Sequence, residues 1–230
     1  MKQLFYFLVL SVSCTTTTPN AGETINLSVT SKSSQSSECE IAAELNLSGD
    51  KSKPLVLFFH GSGPINRDGH VGGINIYKNI AKSLNHLEYS TLRWDKRTSI
   101  PECAKNIINN KELSPEVFLI DGKNVLDFVR NKYSNRFDKI VVFGHSQGVT
   151  LVLNSNGRLG KIDGVILAAG AGKYSIDQLL LKQLETLRSE KGVPTKEKIE
   201  EVRAGLANII NKQWPDDNMF MGAYPHFWRK

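Results

Sequence analysis

Cysteine is scarce in this chain: three occur in 230 residues, and no Cys-x-x-Cys pair or His/Cys cluster is present. That excludes the usual structural zinc patterns. Runs of like charge are also missing. The 29 Lys and Arg and 23 Asp and Glu leave a net charge of +6, but the two signs are mixed along the sequence. There is no basic tract on which nucleic-acid binding could rest, and the excess implies a generally solvated surface. No N-terminal apolar stretch is long enough to span a bilayer, and no internal repeat is visible. What remains is a chain with 40% hydrophobic residues, enough for one ordinary globular core.

The N-terminus has the layout of an export signal. Lys2 supplies the positive start, residues 4–10 a short apolar core, and Ser11, Val12 and Ser13 the small residues before Cys14. Two readings of Cys14 stand. It resembles the lipidated cysteine of bacterial lipoproteins, although Leu10 lies one place further from it than that pattern requires. Alternatively, cleavage after Ser13 leaves an unmodified secreted chain. Lipidation is preferred, and it would tether the protein to a membrane without spanning it. The expected division is a signal over 1–13, a tether over 14–23, a core over 24–172 and a helical cap over 173–230. The expected location is the cell envelope, lipid-anchored, or otherwise outside the cell. In an oxidising compartment Cys39 and Cys103 could pair or stay as two thiols.

Hydropathy patterning predicts an α/β protein. Residues 24–30 and 40–47 alternate as half-buried strands, with the Ser-rich stretch 31–37 as a flexible hairpin loop. Residues 55–59 and 139–143 are continuous apolar runs, as strands covered on both faces are. Further strands are predicted over 89–94 and 165–169. Helices are predicted around Tyr77–Leu84, from Ser114-Pro115 through Val129, and over 146–154. The alternation implies a mostly parallel sheet covered by helices on both faces, with an antiparallel edge from the first two strands. After Gly172 only helical periodicity remains, over 176–187 and 199–210, broken at Gly192-Val193-Pro194.

Two motifs carry chemistry. Gly144-His145-Ser146-Gln147-Gly148 is a G-x-S-x-G sequence between a buried strand and a helix, the context of a nucleophile elbow. The expectation is that Ser146 is the nucleophile, with its Oγ lifted clear at the carboxyl edge of the sheet. His60-Gly61-Ser62-Gly63-Pro64 follows the earlier buried strand. Such a turn can aim a backbone N–H at a reacting carbonyl oxygen, and the N–H of Gln147 would be the second donor. Ser62 is the preferred first donor, with Gly61 as the alternative. His60 is expected to be structural.

Together with Arg67-Asp68, Trp94-Asp95-Lys96-Arg97 and Asp121, these motifs resemble the bacterial α/β-hydrolase esterases related to the serine aminopeptidase and prolyl oligopeptidase-like group. The resemblance runs over about residues 24–228. It implies an α/β-hydrolase fold and ester hydrolysis through an acyl-enzyme on Ser146, with a small-molecule ester as substrate and no metal or organic cofactor. It also implies an oxyanion hole from the Ser62 and Gln147 amides, and loop-organising roles for Asp68, Asp95 and Arg97.

The acid and base of such a site follow the serine in sequence. After Ser146 the only histidine is His226, in an aromatic segment four residues from the end, and Asp163, Asp177, Asp216 and Asp217 follow no recognisable strand. The expectation is therefore a truncated hydrolase. It would lack the last two strands of its sheet, expose an apolar edge near Ala168, and be impaired for want of an acid and a base. A non-catalytic envelope lipoprotein using the scaffold for binding, or a peptidase or acyltransferase on the same elbow, are the alternatives.

Overall fold

The computed structural model describes residues 22–33, 36–172 and 174–229. The expected signal segment, Cys14 and most of the tether lie outside them.

The sheet is built from six strands in the order β1-β2-β6-β3-β7-β8: β1 Thr24–Ser33, β2 Ser36–Asn46, β3 Leu55–Phe59, β6 Ser90–Trp94, β7 Ile140–His145 and β8 Gly164–Ala168. The short strands β4 His70–Val71 and β5 Ile74–Asn75 form a separate hairpin. β3 shows why the centre holds. All five of its residues are buried. Leu55, Leu57 and Phe59 enter the apolar cluster on one face, and Val56 and Phe58 the cluster on the other. The strand period of two thus feeds both layers from one continuous apolar run.

Helices fill those layers. α1 Ile76–His86 covers one face through Tyr77 and Ala81. α3 Pro115–Tyr133 and α4 Gln147–Leu153 cover the other through Phe118, Val125, Val129, Leu151 and Val152. α3 starts with Pro115 in its first turn, where a missing N–H costs nothing. It runs past Val129 to Tyr133, and Ser114 sits at the N-cap without a capping side-chain bond. A further helix, α2 Pro101–Asn109, was not anticipated; a disulfide joins its Cys103 to Cys39 of β2, with Cα atoms 5.6 Å apart. The pairing left open by the sequence is thereby decided.

Three expectations need correction. The sheet is mixed, not mostly parallel: β1–β2 and β2–β6 are antiparallel, while β6–β3, β3–β7 and β7–β8 are parallel. The loop expected over 31–37 is largely strand: β1 runs to Ser33, β2 starts at Ser36, and Ser31 pairs with Cys39. Ser31 is fully buried, its Oγ donating to Asp121 at 2.6 Å, and that inward contact overrides the loop preference of serine. Finally, the loss of terminal strands does not show among the described residues, where β7 and β8 are both in the sheet, paired in parallel register without a gap. β8 forms its edge, where Val165, Ile166 and Leu167 are 50, 43 and 46% exposed.

Beyond the sheet, α5 Ile176–Lys191 ends on Gly192 in the left-handed conformation, and α6 Lys196–Ile210 begins on Thr195, whose hydroxyl accepts from the Lys198 amide. α7 is the short Pro225–Trp228. Val202, Leu206, Ile209, Ala223 and Trp228 pack together as their own apolar cluster.

Candidate active site

β7 ends at His145, α4 begins at Gln147, and Ser146 between them has φ 52° and ψ −116°. A non-glycine residue at that φ is strained, and surrounding structure must hold it there. Two features do. The Ser146 amide donates to the carbonyl of Ala168 at 2.9 Å, tying the elbow to β8. The flanking glycines let helix and strands close on it: a Cβ on Gly148 would lie 2.3 Å from the Phe59 carbonyl oxygen, and one on Gly144 would lie 2.9 Å from the Gly148 carbonyl.

The His60–Pro64 turn leaves the neighbouring strand β3 at the same edge. Ser62, Ser146 and Gln147 line one cavity of about 630 Å3. The Gly61 amide donates to Tyr77 Oη at 2.9 Å, so it is committed elsewhere and the alternative first donor falls away. The Tyr77 hydroxyl also lies 2.9 Å from His145 Nδ1. The phenol oxygen, with one proton and two lone pairs, thus serves the Gly61 amide and the His145 ring at once. Partial burial holds His145 below the usual imidazole range.

Lys96, at the end of β6, is the unexpected member. It is 1% exposed and lines the same cavity. Its Nζ donates to the Gly61 carbonyl and to Gln147 Oε1, each at 2.8 Å, and stands 4.2 Å above the Phe118 ring. Burial lowers its pKa to about 7. Neither Lys96 nor Tyr77 was given a role from sequence. The one available signal for Lys96 is its place just after a strand of the parallel part of the sheet, at the carboxyl edge where ligand sites of open α/β sheets gather.

The remaining predicted residues lie apart from the cavity. His226 Nε2 donates to the Leu113 carbonyl at 3.0 Å and its ring stacks on Tyr224. Asp163 accepts from the Ile140 amide at 2.8 Å, Asp216 pairs with Arg229, and Asp217 pairs with Lys111. Asp177 sits in the first turn of α5. Asp95 accepts from the Arg67 amide at 2.8 Å, Asp68 pairs with Arg93, and Arg97 holds Asp121 through two hydrogen bonds of 3.0 and 2.7 Å. Cys14 lies outside the described residues.

No family model matches the sequence. Esterase EstD of Thermotoga maritima is 29% identical over 171 residues, which are 74% of this chain and 39% of that protein. Among solved structures, the Pyrococcus furiosus esterase Pf2001 aligns with a TM-score of 0.52 at 15% identity, over 79% of this chain and 61% of that one. A thermostable carboxyl esterase from Bacillus coagulans aligns at 0.50 and 17%, over 85% and 59%, and Est1E from Butyrivibrio proteoclasticus at 0.50 and 16%, over 88% and 68%. The fold is the α/β-hydrolase fold. The chain spans about two fifths of the length of its curated relative.

The structure does not carry the expectation of a truncated, impaired hydrolase. Acid and base were expected only after Ser146, whereas the core holds ionisable groups before it. Asp121 is a fully buried carboxylate on Ser31 and Arg97, and His145, whose pKa burial lowers, adjoins Ser146. Want of ionisable groups is no ground for reading the protein as impaired.

Proposed function

We propose that this protein is a carboxylic-ester hydrolase in which Ser146 forms the acyl-enzyme. The observation that carries the reading is the strained Ser146, held by Gly144 and Gly148 in a cavity lined largely by apolar side chains. Ser146 Oγ attacks the ester carbonyl, the alcohol leaves, and water then cleaves the acyl-serine bond. The Ser62 and Gln147 amides receive the charge that develops on the carbonyl oxygen, where each donor contributes about 3–4 kcal/mol to the transition state. Phe118, Ile176, Leu180, Phe227 and Trp228 line the cavity and offer an apolar seat for an acyl or alcohol chain.

The test is active-site labelling with a fluorophosphonate alongside hydrolysis of p-nitrophenyl esters. Labelling and turnover that both vanish in Ser146→Ala support the reading. Folded protein that neither labels nor turns over ends it.

We also infer that the protein is exported, with Cys14 as a lipid attachment site. The Cys39–Cys103 disulfide favours an oxidising compartment, and the signal-like residues 1–13 precede Cys14 directly. Metabolic labelling with an alkyne fatty acid that persists in Cys14→Ser overturns the anchor.

A further inference from the structure

Lys96 is a buried ammonium with two hydrogen bonds, and both end on the machinery around Ser146. The first is to the carbonyl of Gly61. That carbonyl and the Ser62 N–H belong to one peptide group, which is planar, so fixing the oxygen fixes the direction of the N–H on its opposite side. A positive charge on the carbonyl also draws electron density from the peptide and makes its N–H a stronger donor. The second bond is to Gln147 Oε1, the side chain of the residue whose backbone amide is the other donor. One side chain just after β6 thereby ties together the turn after β3 and the start of α4. The third face of the ammonium is closed by the Phe118 ring, so Lys96 has little freedom to swing away.

We propose that Lys96 is a positioning residue that orients and polarises the two backbone donors facing Ser146 by gripping the Gly61 carbonyl and the Gln147 side chain. This rests on the reading of the Ser62 and Gln147 amides as the oxyanion donors. The grip is strongest while Lys96 carries its proton. Burial brings its titration to about pH 7, so donor strength falls as the pH rises through that value. Other groups around Lys96 do not mimic the effect. Burial lowers His60 to about 3, holds His145 below the usual imidazole range and moves Tyr77 upward.

Two readouts on the full chain test this, one with turnover and one without. In ester hydrolysis, Lys96→Met is expected to lower kcat by about 10- to 100-fold, less than the roughly 100- to 1000-fold for outright loss of an oxyanion donor, with KM changed less than about threefold. It should also remove the loss of kcat expected of the unaltered protein above about pH 7. Lys96→Arg keeps its charge at all accessible pH, so a rescue of part of kcat with a flat alkaline side is expected. In a nitrogen–proton NMR titration, the Ser62 amide of the unaltered protein should shift with the ionisation of Lys96 and stop shifting in Lys96→Met. An unchanged kcat in folded Lys96→Met, or an alkaline limb that survives in it, overturns the proposal. So does a Ser62 amide that ignores pH. If the protein turns over no ester but the Ser62 amide follows Lys96, the hydrolase reading fails and the polarising contact stands.

Discussion

Tyr77 Oη accepts from the Gly61 amide and is hydrogen-bonded to His145 Nδ1, each over 2.9 Å, so one phenol joins the turn after β3 to the elbow after β7. Burial pushes its own pKa upward, which keeps the phenol protonated. The hydroxyl rises from the first turn of α1, a helix on the opposite face of the sheet from α4.

Tyr77→Phe is therefore expected to do more than delete a hydroxyl. It leaves the Gly61 N–H and His145 Nδ1 without their partner in a largely buried place, at a cost of about 1–3 kcal/mol for each group left unsatisfied. Urea denaturation should show a loss of that order. Because the substrate itself loses no contact, kcat should fall more than KM rises. A variant as stable and as active as the parent would show that water replaces the phenol at no cost.

Gly148→Ala probes the elbow. The added methyl would sit 2.3 Å from the Phe59 carbonyl oxygen and 3.0 Å from that of His60. These are backbone atoms and cannot swing aside, so α4 must shift from β3. Overpacking of this kind costs about 1–3 kcal/mol. The expected outcome is a folded but less stable protein whose Ser146 reacts more slowly with a fluorophosphonate. Labelling at the parental rate would argue that the elbow tolerates looser packing than its geometry implies.

The exposed edge of β8 gives a solubility prediction. Val165, Ile166 and Leu167 are half exposed on a strand paired only with β7. Such an edge invites pairing between molecules, and a charge on it discourages that. Ile166→Lys should lower concentration-dependent association in light scattering while leaving Tm within about 2 °C, since exposed substitutions seldom exceed about 0.5 kcal/mol. Association unaltered by the lysine would place it elsewhere on the surface.

The two-faced burial of residues 55–59 was legible because every position is apolar, and the elbow because glycine, serine and glycine fall between a strand and a helix. The residues that escaped did so for physical reasons. Ser31 reads as loop chemistry, yet its hydroxyl is spent on a carboxylate ninety residues away. α2 is only nine residues long, and its place is set by Cys103 and Ile107 packing inward, a face too short to stand out as a period. Lys96 looks like a surface charge in a charged stretch, and only the meeting of β6, the turn after β3 and α4 turns it inward. The sheet was expected to be mostly parallel because strands alternate with helices, with an antiparallel edge from the first two strands, which β1–β2 forms. The antiparallel β2–β6 pair depends instead on a register that hydropathy does not encode.

The disulfide offers a sharper stability test. Cys39 and Cys103 lie 64 positions apart, and closing a loop of that size in the unfolded chain is worth about 4 kcal/mol in the chain-entropy account. A Cys39→Ala, Cys103→Ala protein should lose stability of that order in urea denaturation, and the parent should become comparably sensitive on adding a reductant. The elbow does not touch the bond, so Ser146 labelling under native conditions should persist. A loss below about 1 kcal/mol would mean that packing of α2 on β2 alone holds this corner.

His60 sets the acid limit of the fold. It is fully enclosed, edge-on to the rings of Tyr77 and Trp94, and burial, with the charge of Lys96 adding to it, lowers its pKa to about 3. In the unfolded chain the same imidazole titrates near 6.5. Between those values the unfolded state binds a proton that the folded state refuses, so stability contributed by neutral His60 is present above pH 6.5 and lost as the pH falls toward 3. The full difference corresponds to about 5 kcal/mol, and roughly half of it should be gone near pH 5. His60→Phe keeps an aromatic ring and removes the titration. The difference in unfolding free energy between parent and variant, followed by urea denaturation from pH 7 to pH 4, should move in favour of the variant as acid is added. A constant difference over that range would mean that the parent admits the proton, by opening the His60–Pro64 turn to water, before the rest of the sheet gives way.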